Sequence, residues 1–225
     1  MKIIGIIGAM PSELVTIRNE LEAAKIKNVA KFDFHISEHG EATIINVCCG
    51  IGKVNAAICT QILIDQFQVD AIINTGIAGG MSDEMQICDI VVSSDVMHHD
   101  LIPRFLEDYP PYNSVFTADK RLISQATKSC DKHGIRYFVE RIVSGEVFVS
   151  SSERRQEIID EYDPYAVDME TAAIAQCAFR NGIPFVSVRC ISDHADDDGE
   201  MTFDEFEVMA ADRVATVVLD MVENL

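Results

Sequence analysis

No apolar run in this sequence approaches the length of a membrane helix, no C-x-x-C pair occurs, and positive charge is scarce. The first absence argues against a spanning helix, which needs about 20 apolar residues. A secretory leader is not expected either. The one candidate, Lys2 followed by Ile3 to Met10, is short, lacks a small-residue cleavage site and runs directly into Glu13 and Arg18. A cytoplasmic location is therefore expected. The seven cysteines (Cys48, Cys49, Cys59, Cys88, Cys130, Cys177 and Cys190) form an odd set, mostly inside apolar stretches. They read as reduced, small core residues. With 18 basic against 37 acidic residues the formal net charge is −19. Such a surface repels nucleic acid and anionic membranes and gives no help with polyphosphates. Neutral or cationic small molecules remain compatible.

What is present suits a single α/β domain. The chain has 225 residues, 48% of them hydrophobic, enough to bury a large core. Short β-branched runs alternate with longer amphipathic stretches. Strands are expected at Lys2 to Ile7, Asp70 to Thr75, Ile87 to Ser93, Tyr137 to Val143, Asp163 to Met169 and Ile183 to Ile191. Phe32 to Ser37 and Ala42 to Val47 flank the turn-like His39-Gly40 and predict a hairpin. Helices are expected to open at Pro11-Ser12-Glu13 and to cover Val54 to Phe67, Asp119 to His133 and Thr171 to Arg180. Thr202-x-x-Glu205 reads as a capping box for a closing helix to about Val222. The strand from Asp70 ends in Gly76-Ile77-Ala78-Gly79-Gly80, and Leu101 to Thr117, with three prolines, reads as a long irregular loop.

Several motifs fail on inspection. Gly5-Ile-Ile-Gly8 lacks the G-x-G-x-x-G spacing, and Gly50-Ile-Gly52-Lys53 is followed by Val54 where a phosphate loop needs Ser or Thr. Both are better explained as tight turns where a strand end approaches a ligand. Asp193 to Gly199 resembles a calcium loop, but His194 would be the first ligand and a strand precedes it. His98-His99-Asp100 has no further ligand candidate at useful spacing.

Three carboxylates remain. Glu13 lies in a first helical turn, where the dipole favours the anion, and Glu170 sits at a strand-to-helix junction that favours it too. An anionic carboxylate accepts two O–H donors and suits a vicinal diol. Asp193 follows a long apolar strand and is crowded by Asp196, Asp197 and Asp198, a setting that raises a carboxyl pKa and suits a proton donor. Separate base and acid settings fit a glycosidic cleavage through an oxocarbenium-like transition state. Plain roles as helix caps and a loop acid account for the same pattern.

A resemblance goes further. GIIGAM at 5–10 with Glu13, GIGKVNAA at 50–57, INTGIAGG at 73–80 and DIVVS at 89–93 resemble the 5′-methylthioadenosine/S-adenosylhomocysteine nucleosidases. So do VSGEVFV at 143–149, VDMET at 167–171, VRCISD at 188–193 and TFDEF at 202–206. The resemblance implies a single-domain three-layer sandwich, a twisted mixed β-sheet flanked by helices as in the nucleoside phosphorylases. It implies a homodimer and no metal or cofactor. It assigns Glu13 to activating water at C1′ and Asp193, oriented by Ser192, to protonating N7 of adenine. Glu170 would hold the ribose hydroxyls, with Met169 beneath the sugar. Phe148 would stack on adenine and the backbone of Val149 would read its edge. Ala9, Met10, Ile51 and Phe203 match positions around the ribose and the 5′ substituent, and Arg189 would brace the Asp193 loop.

Two departures stand out. Ile77 replaces the serine common in the family's NTGSAGG turn, which disfavours bound phosphate and hence favours hydrolysis over phosphorolysis. Leu101 to Tyr109 replaces the family segment lining the 5′ pocket from across the dimer. That leaves open the ranking among methylthioadenosine, S-adenosylhomocysteine, 5′-deoxyadenosine and futalosine-type substrates. Purine nucleoside phosphorylase and a non-catalytic nucleoside-binding protein on the same scaffold are the alternatives.

Overall fold

The computed structural model describes residues 2–225. Strand β1 (Lys2–Gly8) and a 3-10 turn (Ser12–Leu14) lead into helix α1 (Val15–Glu20). β2 (Lys25–Val29), β3 (Phe32–His39) and β4 (Ala42–Cys48) form a meander, followed by α2 (Lys53–Phe67) and β5 (Ala71–Gly80). β6 (Ile90–His98), α3 (Pro103–Asp108), β7 (Phe116–Thr117), α4 (Lys120–His133) and β8 (Tyr137–Ser144) come next. α5 (Ser152–Tyr162), β9 (Ala166–Asp168), α6 (Thr171–Asn181), β10 (Phe185–Asp193) and α7 (Gly199–Glu223) complete the order.

All the strands join one mixed sheet in the order β10-β6-β8-β9-β5-β1-β4-β3-β2, with β7 on β6. β10 also pairs with β5, so half of the sheet closes into a ring while β1, β4, β3 and β2 extend from it as an open wing. The two-residue side-chain period of β1 shows why helices cover both faces. Ile4 and Ile6 pack into the cluster shared with α4 and α7, whereas Ile7 packs with residues of α2 and α6. The result is three layers. Among the described residues no helix is long and apolar enough to cross a membrane.

The β3–β4 hairpin, α2, α4 and the late apolar strand lie where the sequence places them, within a few residues. Asp119 caps α4 by accepting from the backbone N–H groups of Arg121 and Leu122. Other expectations are corrected. Leu101 to Thr117 is not wholly irregular, because Pro103 opens α3 at a first-turn position and Phe116 is buried in a strand. The strand expected from Asp163 spans only Ala166–Asp168. α7 begins at Gly199, so Thr202 lies inside the helix and its hydroxyl donates to the Asp198 carbonyl instead of forming a capping box. β2 and α5 had no counterpart in the sequence reading. β2 is an exposed edge strand, and α5 is highly charged with only Ile158 and Tyr162 buried.

Gly76 to Gly80, the end of β5, shapes the site. These residues continue β5 as strand and do not turn. Gly76 has φ +148°, and a side chain there would collide with the Glu13 carboxylate and the Arg189 guanidinium. At Gly79 a Cβ would lie 2.9 Å from Ala195 Cβ and 3.0 Å from Asp193 Oδ1. The glycines therefore make room for functional groups rather than for a bend.

Candidate active site

The cleft lies at the C-terminal ends of β1, β5 and β10, where an open α/β sheet leaves a crevice between diverging connections. It is lined by Ala9, Met10, Glu13, Ile51, Ile77, Phe148, Met169, Glu170, Ser192, Asp193 and Phe203, together with Ala78, Gly79, Val167 and Asp168. The rings of Phe148 and Phe203 meet edge to face, 5.7 Å between centroids. Val149 is set back, lining a smaller recess beside Phe148, Met169 and Asp193.

Glu13 is almost fully buried in the 3-10 turn after β1. Its Oε2 accepts from the N–H groups of Ala9 at 2.6 Å and Met10 at 2.9 Å, and its Oε1 from Ile77 N–H at 3.0 Å. Three backbone donors thus fix the carboxylate over β5. Burial nevertheless raises its pKa, opposed by the Arg189 charge and those three amides. The expectation that the helix end would dominate is corrected, because removal from water outweighs a dipole of one short turn.

Glu170 takes the position preceding α6 but makes no capping bond there. Its Oε1 accepts from Gly52 N–H at 2.8 Å. Burial and the neighbouring Asp168 push its pKa to about 7 against the pull of Arg189 and that amide. It is therefore not the unperturbed anion that its place in the sequence implies. Asp193 closes β10. Its Oδ2 accepts from the Ser192 hydroxyl at 2.9 Å and its Oδ1 from Ala195 N–H at 2.8 Å. Burial raises its pKa, with Asp196 a minor contributor, so the expected direction holds but not the weight given to acidic crowding. Asp197 turns away to Ser152.

Arg189 is wholly buried at the base of the cleft, beneath its lining. Its Nη2 lies 2.6 Å from Asp168 Oδ2 and 3.6 Å from Glu170 Oε2, and its Nη1 lies 3.6 Å from Glu13 Oε1. It also donates to Asn74 Oδ1, Thr171 Oγ1 and the Ile77 carbonyl. The expected brace on the Asp193 loop is corrected, since these partners all belong to the Glu13–Glu170 side. Burial disfavours the guanidinium charge, but Asp168, Glu13 and Glu170 together raise its pKa further still.

Asp168 is the residue that sequence reasoning missed. Its Oδ1 accepts from the Ser144 hydroxyl and the N–H groups of Glu170 and Thr171, while its Oδ2 takes Arg189 and the Thr171 hydroxyl. An acidic side chain one residue before Met169, in a strand otherwise apolar, was the available signal. Ile77 lies in the cleft wall with 5% exposure, its backbone serving Glu13 and its side chain joining the core cluster of α7.

The sequence signature of the Phosphorylase superfamily matches residues 3–223. A 5′-methylthioadenosine/S-adenosylhomocysteine nucleosidase from Exiguobacterium is 38% identical over 228 residues, covering 99% of this chain and 98% of that protein. The crystal structure of the nucleosidase of the same name from Neisseria meningitidis, in complex with methylthio-immucillin-A, superposes with a TM-score of 0.95 at 35% identity, covering both chains fully. The futalosine hydrolase of Helicobacter pylori superposes with a TM-score of 0.94 at 28% identity, covering 100% of this chain and 98% of that one. The match over residues 3–223 and the 38% identity across nearly the whole of a curated nucleosidase show that the chain belongs to the phosphorylase superfamily and, within it, to the 5′-methylthioadenosine/S-adenosylhomocysteine nucleosidases.

Proposed function

We propose that the protein hydrolyses the N-glycosidic bond of 5′-methylthioadenosine and S-adenosylhomocysteine, giving adenine and the 5-thio-substituted ribose. The observation that carries the reading is the convergence of Glu13, Glu170 and Asp193 on one cleft in three different environments. Burial raises the pKa of Asp193, which suits it to deliver a proton to N7, so that adenine departs neutral. Gly76, against Glu13, and Gly79, against Asp193, are three residues apart on β5, about 10 Å of strand. That spacing lets the acid face the base while Glu13 holds water beneath C1′. As the bond breaks, Glu13 and Glu170 stabilise the cationic sugar in a site largely screened from water.

Glu170 accepts the ribose hydroxyls, Met169 lies beneath the sugar, and Phe148 stacks on the purine with the Val149 backbone at its edge. Ala9, Met10, Ile51 and Phe203 supply apolar walls for the ribose and the 5′ substituent, and Ser192 orients Asp193. A methionine-salvage step in the cytoplasm fits these products and the seven free cysteines. A homodimer fits the apolar groove that Val54 and Ile58, which expose 69% and 47% of their surface, line together with Leu101 and Leu106. Light scattering during gel filtration that gave a monomer mass would remove the dimer from this reading.

The deciding assay is adenine release from methylthioadenosine with and without inorganic phosphate. Equal rates are expected. Release only with phosphate would make the protein a phosphorylase, and binding without release would make it a nucleoside-binding protein.

A further inference from the structure

The centre of the cleft is unbalanced in charge. Asp168, Glu13 and Glu170 all reach within 3.6 Å of the one buried guanidinium of Arg189. Fully ionised, the four groups would carry a net charge of −2 away from water, where uncompensated charge is costly. The other titratable neighbours bring no positive charge to Glu170. Burial keeps the Cys49 thiol neutral, and burial lowers the pKa of His98, on the Asp168 side. Asp193, across the cleft, adds a carboxyl whose burial favours its protonated form.

Hydrogen-bond accounting locates where the imbalance is relieved. Asp168 takes three donors on Oδ1 and two on Oδ2, and Glu13 takes three backbone N–H groups over its two oxygens. A proton on Asp168 would set a donor against a donor, and on Glu13 only Oε1 keeps a lone pair, on the side of Arg189. Glu170 differs. Its Oε1 has only Gly52 N–H, and among the described residues its Oε2 receives no hydrogen bond, with Arg189 Nη2 at 3.6 Å. Of the carboxylate oxygens of Glu13, Asp168, Glu170 and Asp193, this one alone accepts no hydrogen bond.

We infer that the empty site stores a proton on Glu170 Oε2, and that the substrate's ribose diol expels it to solvent on binding. The inference rests on the nucleosidase reading above. The anion accepts both diol hydroxyls, where the neutral acid would accept one and donate to the other, so the bound sugar favours the anion. The negative charge that Glu170 lends the oxocarbenium ion is then completed when sugar binds, and below about pH 7 the resting protein largely avoids it. Asp168 is the positioning residue, because its direct pair with Arg189 keeps the guanidinium from holding Glu170 ionised.

The test uses a 7-deaza analogue of 5′-methylthioadenosine, which has no N7 to be protonated. Titration calorimetry in buffers of different ionisation enthalpy counts the protons exchanged. With Glu170 titrating at about 7, binding at about pH 6 should release close to one proton and at about pH 8 close to none. Affinity should be about tenfold weaker at the lower pH. Glu170→Gln should bind more weakly with no release, and Asp168→Asn should release less at the lower pH because Arg189 is freed to ionise Glu170. If Asp168→Asn fails to fold, the wild-type and Glu170→Gln titrations still decide. Binding without proton release, or release that persists in Glu170→Gln, overturns the stored proton alone. Failure of the analogue to bind at either pH overturns the nucleosidase reading and this inference with it.

Discussion

Replacing Glu13 with Gln changes one atom in the cleft, and the structure says what that atom must do. Oε2 already serves Ala9 and Met10, so the glutamine carbonyl takes that place and the amide nitrogen points at Ile77 N–H, 3.0 Å away, and Arg189 Nη1, 3.6 Å away. One buried N–H loses its acceptor, at a cost of about 1–3 kcal/mol. Removing a carboxylate that burial disfavours offsets part of this, so the fold should lose little. Catalysis has no such offset. A positioned base contributes about 10²–10⁴-fold, equal to about 2.7–5.4 kcal/mol of barrier. If Glu13 acts on water rather than on the nucleoside, as proposed, the loss should fall on kcat with KM nearly unchanged. Steady-state adenine release, read beside a melting curve, measures both. A folded variant with near-native kcat, or one altered only in KM, would refute the assignment.

Asp193→Asn should slow adenine release by at least about 10²-fold yet spare cleavage of a 5′-thio p-nitrophenyl riboside, whose leaving group departs without protonation; equal losses on both substrates would contradict the N7 role. Phe148→Ala should raise KM by about 5–150-fold, the equivalent of about 1–3 kcal/mol of base stacking, with a smaller effect on kcat. Arg189→Met leaves three buried carboxylates without their cation and should cost about 3–5 kcal/mol, a fall in Tm of about 6–20 °C for a chain of this size. That fall should shrink as pH drops, because protonating the carboxylates removes their repulsion, and a pH-independent loss would argue against charge as its cause.

Much of the fold was legible in the sequence because its signals are local. β-branched runs mark β1, β5 and β10, and Asp119 marks the start of α4. Elements whose existence depends on neighbours were not legible. β2 forms only because β3 offers it an edge, and the 3-10 turn at Ser12 is set by Glu13 bonding back to Ala9 and Met10. Gly76 to Gly80 holds three glycines in five residues, a composition that usually marks a turn. Its actual cause is the Glu13, Arg189 and Asp193 side chains crowding β5.

The cleft divides the same way. The identity and order of Glu13, Glu170 and Asp193 are properties of the chain, and the motifs around them placed it in its family before any contact was known. Their charge states are not. A carboxyl's proton affinity depends on water exclusion and on partners distant along the chain, so the two acids taken from sequence as ordinary anions are both raised by burial. Asp168 and the true partners of Arg189 emerged only when β9 and β10 came together with the turn after β1, because electrostatics acts through space and not along sequence.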